Sequence, residues 1–264
     1  MIEFFKNLDH TTQALIATTF TWGVTALGAS LVFMFKKLNK SVMDATLGFA
    51  AGVMIAASFF SLISPAIEMA ENLNMISWII VSIGFFAGGL LLFIGDKVYD
   101  KCNRKLKKND KFKRSMMLVF SITLHNIPEG LAVGVAFGSL QYGLEGATLI
   151  AACLLALGIG IQNFPEGTAV SVPLRREGLS RKKAFLYGQM SGIVEPISGV
   201  IGALLVLKIR YLLPFLLSFA AGAMIYVVVQ ELIPESQTNK KKDLMALFTL
   251  IGFSVMMILD VALS

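Results

Sequence analysis

Eight apolar runs, each close to the length that crosses a bilayer, constrain what this chain can fold into. They cover approximately 12–35, 42–65, 75–96, 115–138, 144–174, 182–207, 211–233 and 244–262. About 20 apolar residues of helix span the hydrocarbon core, and there every backbone polar group must find its partner within the chain. The expected fold class is therefore an all-α integral membrane protein of eight transmembrane helices. Residues 1–264 are read as a single transmembrane domain. Composition agrees, with 56% hydrophobic and 15% charged residues, where a soluble domain is about a quarter charged. The first run is read as a retained span, because the residues before it are nearly neutral and the run is longer than a signal-peptide core.

The charges orient the runs. A net charge of +6 suggests nucleic acid in a soluble chain. Here the basic residues are confined to short segments between apolar runs, so the expected partner is a lipid bilayer and no nucleic acid. All of the 23 Lys and Arg except Lys6, Lys208 and Arg210 fall between runs 1 and 2, 3 and 4, 5 and 6 (Lys182 and Lys183 at the very start of run 6), or 7 and 8. Basic loops remain cytoplasmic, so both termini are expected outside a multi-pass protein of the plasma membrane. Cys102 in a basic loop and Cys153 in an apolar run do not make a disulfide framework.

Two internal repeats follow. His125-Asn126-Ile127-Pro128-Glu129-Gly130 recurs as Gln162-Asn163-Phe164-Pro165-Glu166-Gly167 in the adjacent run, which crosses in the opposite direction. Phe49–Ile55 (FAAGVMI) recurs as Phe219–Ile225 (FAAGAMI), offset by 170 residues. Together they suggest three spans, a central pair and three more, arranged as inverted repeats. Secondary transporters use such repeats, with the site near the midplane.

Residues three and four apart share a helix face, so His125, Asn126 and Glu129 form one polar wedge and Gln162, Asn163 and Glu166 a second. Each proline deprives a carbonyl one turn back of its donor, that of Leu124 or Ile161. Two carboxylates, one imidazole and three amides form a mixed nitrogen and oxygen set suited to Zn²⁺, Fe²⁺ or Mn²⁺. Glu195, just before Pro196, is a candidate third carboxylate. A single acid at the bilayer centre costs about 2.5–3.5 kcal/mol, so three cost on the order of 8–10 kcal/mol without partners. No Lys or Arg lies at that depth, and a cation is the natural partner; amides alone would do equally as interhelical glue.

A lower-ranked path runs beside the wedges. Met54, Ser61 and Glu68 recur every seven residues toward an acidic mouth that includes Glu71, a pattern that fits a packing stripe equally well. Gln230 and Glu231 lie at the other end of run 7, and Asp260 in run 8 has no partner that the sequence identifies.

These residues resemble the ZIP (Zrt/Irt-like) family of metal transporters, in its GufA-type branch. The resemblance rests on the paired motifs, on Glu195-Pro196 and on the run Gly-Val-Met-Ile-Ala-Ala-Ser-Phe-Phe-Ser ending at Ser61. It implies eight spans in 3+2+3 order and a binuclear site between spans 4 and 5. It implies metal-ligand roles for His125, Asn126, Glu129, Gln162, Asn163, Glu166 and Glu195. It also implies uptake into the cytoplasm and a homodimer. The cargo is a divalent metal, zinc foremost, with iron, manganese and cadmium as alternatives. Two features depart from the family: Lys97–Arg114 contains no histidine, and Gln162 and Asn163 stand where many members carry His, Asp or Glu. The rival readings are a metal-selective channel or exporter and an intramembrane metalloenzyme. The last lacks a His-Glu-x-x-His motif and has only one intramembrane histidine.

Overall fold

The computed structural model describes residues 5–34, 40–103, 110–144 and 147–263, and every regular element among them is helical. Lys36, Lys37 and the centre of the basic segment 97–114, at 104–109, lie outside the described residues. Helix α1 (His10–Ser30) starts at an Asp9 cap, where the Thr12 amide donates to Asp9 Oδ1 at 3.0 Å. Then follow α2 (Lys40–Asn72), α3 (Ser77–Asn103), α4 (Asp110–Gln141) and α5 (Leu149–Arg176). The chain closes with α6 (Arg181–Met190), α7 (Val194–Leu204), α8 (Val206–Ser236) and α9 (Lys242–Leu263).

Six described segments are long and apolar enough to cross a membrane: His10–Phe33, Lys40–Asn72, Ser77–Val98, Leu149–Arg176, Val206–Ser236 and Lys242–Ala262. Trp78, Phe86, Leu250 and Ile258 face outward and are exposed. Water would leave that apolar girdle uncovered, whereas lipid covers it.

Three runs differ from their expected form. The run 182–207 is broken at 191–193, between α6 and α7. Pro196 has no N–H for the Gly192 carbonyl, which accepts instead from the Glu195 amide at 3.0 Å. The run 42–65 continues as one helix to Asn72, and the run 211–233 becomes α8, beginning at Val206. Both long helices contain a π-helical turn, Ser58–Ile63 in α2 and Val228–Leu232 in α8. Each turn leads into a proline, Pro65 or Pro234, and the wider winding lets the helix continue past the missing donor.

Packing follows glycines. Helix α1 lies on α5, where a Cβ at Gly28 would stand 1.9 Å from the Phe164 carbonyl oxygen and one at Gly167 would stand 2.0 Å from that of Thr25. Helix α4 meets α7 in the same way at Gly134 and Gly202. Helix α2 meets α9 through Gly52 and Gly252, and α3 meets α8 through Gly88 and Gly222. Small residues that admit a neighbour's backbone are the usual basis of helix association in lipid. Gly52 and Gly222 occupy equivalent places in the repeated heptapeptide, and the two π turns begin 170 residues apart, as the heptapeptides do.

At one end of the bundle α2, α5 and α8 are tied by charge. Asp44 is fully buried; it receives Arg176 Nη1 at 3.1 Å and Asn239 Nδ2 at 2.8 Å. Arg176 also pairs with Glu235, and Ser236 Oγ donates to the Asp44 carbonyl at 2.9 Å.

Candidate metal centre

The two motif wedges face each other in the middle of the helices that carry them. In α4, His125, Asn126 and Glu129 project together, with Pro128 inside the helix. In α5, Gln162, Asn163 and Glu166 do the same around Pro165. Glu195 enters in the first turn of α7, created by the break at 191–193, where the positive end of the helix favours a carboxylate. All seven side chains are excluded from solvent, His125 at 1% exposure and the others at 0%.

His125, Glu129 and Glu166 converge. Each offers a ligand atom, and these atoms lie within 4.8 Å of one another. His125 Nε2 is 2.9 Å from Glu129 Oε1 and 3.3 Å from Glu166 Oε1. The amide nitrogens are taken up around this core. Gln162 Nε2 donates to Glu129, Asn126 Nδ2 to the Ser191 carbonyl at 3.0 Å, and Asn163 Nδ2 to both oxygens of Glu195 at 3.0 and 2.9 Å. The break in the sixth run therefore supplies the carbonyl that orients Asn126.

With the nitrogens anchored, the oxygens are left over. Asn126 Oδ1, Glu129 Oε2, Gln162 Oε1, Asn163 Oδ1 and both oxygens of Glu166 are buried without a hydrogen-bond partner. Unsatisfied buried acceptors are rare and costly. No Lys or Arg pairs with Glu129, Glu166 or Glu195 among the described residues. Only donors or positive charge relieve such a cluster. One imidazole with several carboxylate and amide oxygens is a donor set for a borderline divalent ion.

Comparison with known proteins places this sequence in a lineage. A model of the family described as ZIP Zinc transporter matches residues 103–260, which contain both wedges and Glu195. The chain belongs to the ZIP zinc transporter family. It is 38% identical to Zinc transporter ZIP11 of Xenopus tropicalis, over 95% of this chain and 97% of that one. It is 37% identical to Zinc transporter ZIP11 of Homo sapiens, with the same coverage. It is 33% identical to Zinc transporter GufA of Myxococcus xanthus, over 94% of this chain and 98% of the relative. Family membership and the apolar helices together make it a multi-pass membrane protein.

The residues of the lower-ranked path stand apart from the convergent core. Met54 is buried in α2, and Ser61 lies in the π turn. Ser61 Oγ donates to Asp260 Oδ1 at 2.7 Å, so Asp260 does have a partner after all. These two line a cavity of about 300 Å³ that also touches Ile159 and Ile161 of α5. Glu68 and Gln230 are exposed and Glu231 is half-buried. The π turn interrupts the seven-residue register, which is why Met54 lies inside and Glu68 outside. A larger cavity of about 680 Å³ reaches Ala132, three residues past Glu129 in α4.

Two features, one at the site and one at the end of a helix that carries it, have no counterpart in the motifs. Thr21 of α1 donates its hydroxyl to Glu195 Oε2. The charged group around Asp44 and Arg176 closes one end of α5, the helix that carries Glu166. The signal for the first was present: Thr18, Thr21 and Thr25 share one face of the first apolar run, and all three are fully buried.

Proposed function

We propose that this chain carries divalent metal ions across a membrane, with zinc the principal cargo. The ion is held by His125, Glu129 and Glu166, with the amide oxygens of Asn126, Gln162 and Asn163 beside them and Glu195 as a further carboxylate. The observation behind this is the cluster of buried oxygens with no partner, six atoms around one imidazole. Its amides make it a more open and weaker site than a closed Cys/His shell, as suits an ion that must be released. The names of the relatives support zinc, and all are transporters rather than enzymes.

The finer architecture belongs to the same proposal. Eight spans in 3+2+3 order, with inverted halves, fit the recurrence of glycine contacts and π turns at 170 residues. In that arrangement α4 and the broken pair α6 and α7 supply the two spans beyond the six apolar ones. The distribution of Lys and Arg supports a plasma-membrane protein with both termini outside. Transport runs toward the cytoplasm, and the assembly is a homodimer. Met54, Ser61, Glu68, Gln230 and Glu231 line the route to and from the site.

The test is uptake of ⁶⁵Zn²⁺ into proteoliposomes holding the purified full chain. Wild type should give saturable uptake, and Glu129→Ala with Glu166→Ala should abolish it. Uptake that persists in the double variant contradicts the site; a flux that never saturates favours a channel.

A further inference from the structure

Glu195 differs from the other two intramembrane carboxylates of the site. Glu129 Oε2 and both Glu166 oxygens lack hydrogen-bond donors, whereas both Glu195 oxygens are engaged. Thr21 Oγ1 donates to Glu195 Oε2, and Asn163 Nδ2 reaches Oε1 at 3.0 Å and Oε2 at 2.9 Å. The same amide nitrogen lies 3.3 Å from the Thr21 carbonyl, which fixes Asn163 to α1 as well. Thr21 and Asn163 are fully buried, so no water substitutes for these contacts from the surface. Helix α1 is set rigidly against this point, because Gly199 of α7 packs on Thr18 and Gly167 of α5 on the Thr25 backbone.

The Thr21 hydroxyl has one hydrogen and two acceptors within reach. The second is the Thr18 carbonyl, at 2.9 Å, the usual back-bond of a helical threonine. If Glu195 withdraws, the hydrogen turns to Thr18 and no donor is stranded. The contact is therefore reversible at small cost, unlike a buried salt bridge.

We propose that Thr21 is a positioning residue that orders metal occupancy. A first ion binds among His125, Glu129 and Glu166, and a second is admitted only when Glu195 exchanges its Thr21 and Asn163 donors for the metal. The inference rests on the metal-site reading above, and it adds to the ion placed there a second one that enters only afterwards. A hydrogen bond to a charged group is worth about tenfold to a hundredfold in an equilibrium, so the second affinity is set partly by α1.

The experiment is a Zn²⁺ titration of the metal-free, purified full chain by calorimetry, for wild type, Thr21→Val and Thr21→Ser. Thr21→Ala replaces Thr21→Val if the valine variant is not monodisperse. Wild type should take a first ion tightly and a second weakly or not at all. Thr21→Val should tighten the second step by about tenfold or more and leave the first unchanged. Thr21→Ser, which keeps the hydroxyl, should match wild type. The proposal is overturned if Thr21→Val leaves the second step as it was, shifts both steps equally, or is matched by Thr21→Ser. Wild type that binds no zinc would instead defeat the metal-site reading itself.

Discussion

Two groups of buried carboxylates meet the same helix, α5, and are treated in opposite ways. At its C-terminal end Arg176 holds Asp44, whose second oxygen takes the Asn239 amide; each charge has its counterpart in the chain. Three turns earlier Glu166 has only His125, at 3.3 Å, and neither of its oxygens accepts a hydrogen bond. Burial is the same in both places, since Asp44 and Glu166 are each at 0% exposure. What differs is where the positive charge comes from. A buried acid supplied with an internal cation ties helices together. A buried acid left without one is a place for a cation that arrives and leaves.

That contrast can be broken by substitution. Glu129→Ala with Glu166→Ala should lower zinc affinity by more than about a hundredfold, the upper range for changes that only disturb ligand orientation. The same double variant should unfold at an equal or higher temperature, because it removes unpaired buried charge. Calorimetric titration and a thermal melt check the two halves, and a melting temperature that falls steeply would make the glutamates structural. Arg176→Ala should do the reverse. It leaves Asp44 buried without its cation and should cost about 2 kcal/mol, less than the roughly 3–5 kcal/mol of fully buried pairs, because the Arg176 side chain is 21% exposed. Zinc affinity measured on the folded fraction should stay within twofold or so of wild type.

Acidity sharpens the comparison. Zinc binds the deprotonated carboxylates and the neutral imidazole, so protons compete with it and affinity should fall as pH drops from 7 to 5. A flat profile over that range would exclude proton-titrating ligands. The smallest effect is expected at Asp9, outside both clusters. The Thr12 hydroxyl and amide hold its carboxyl below the ordinary value of 3.8. A depressed folded-state value means that the ionised cap stabilises α1 above the ordinary carboxylate range, and that this contribution is lost as pH falls through the folded value. Asp9→Ala should therefore speed amide exchange in the first turn of α1 at neutral pH without moving zinc affinity.

The sequence disclosed the site unevenly, for physical reasons. The two wedges were legible because three- and four-residue spacing determines which side chains share a helix face, whatever surrounds the helix. The heptapeptide repeat was legible because close packing of Gly52 and Gly222 tolerates nothing larger. The break at 191–193 was hidden inside an apolar run, since hydropathy is blind to a missing carbonyl partner. The π turns were hidden because they answer Pro65 and Pro234 without interrupting the helix. Thr21 carried a signal only of burial, through its face shared with Thr18 and Thr25; its partner, Glu195, lies 174 positions away, and no local spacing joins them. Asp44 and Arg176 lie 132 positions apart, and only packing joins them.

The central claim is that the orphaned oxygens around His125 are a cation site. X-ray absorption at the zinc edge of the purified, zinc-loaded chain tests it most directly. The account predicts a nearest shell of nitrogen and oxygen alone at about 2.0–2.2 Å, with a single imidazole, and its loss in Glu129→Ala with Glu166→Ala. A sulfur neighbour at about 2.3 Å, or an unchanged spectrum in the double variant, would contradict it.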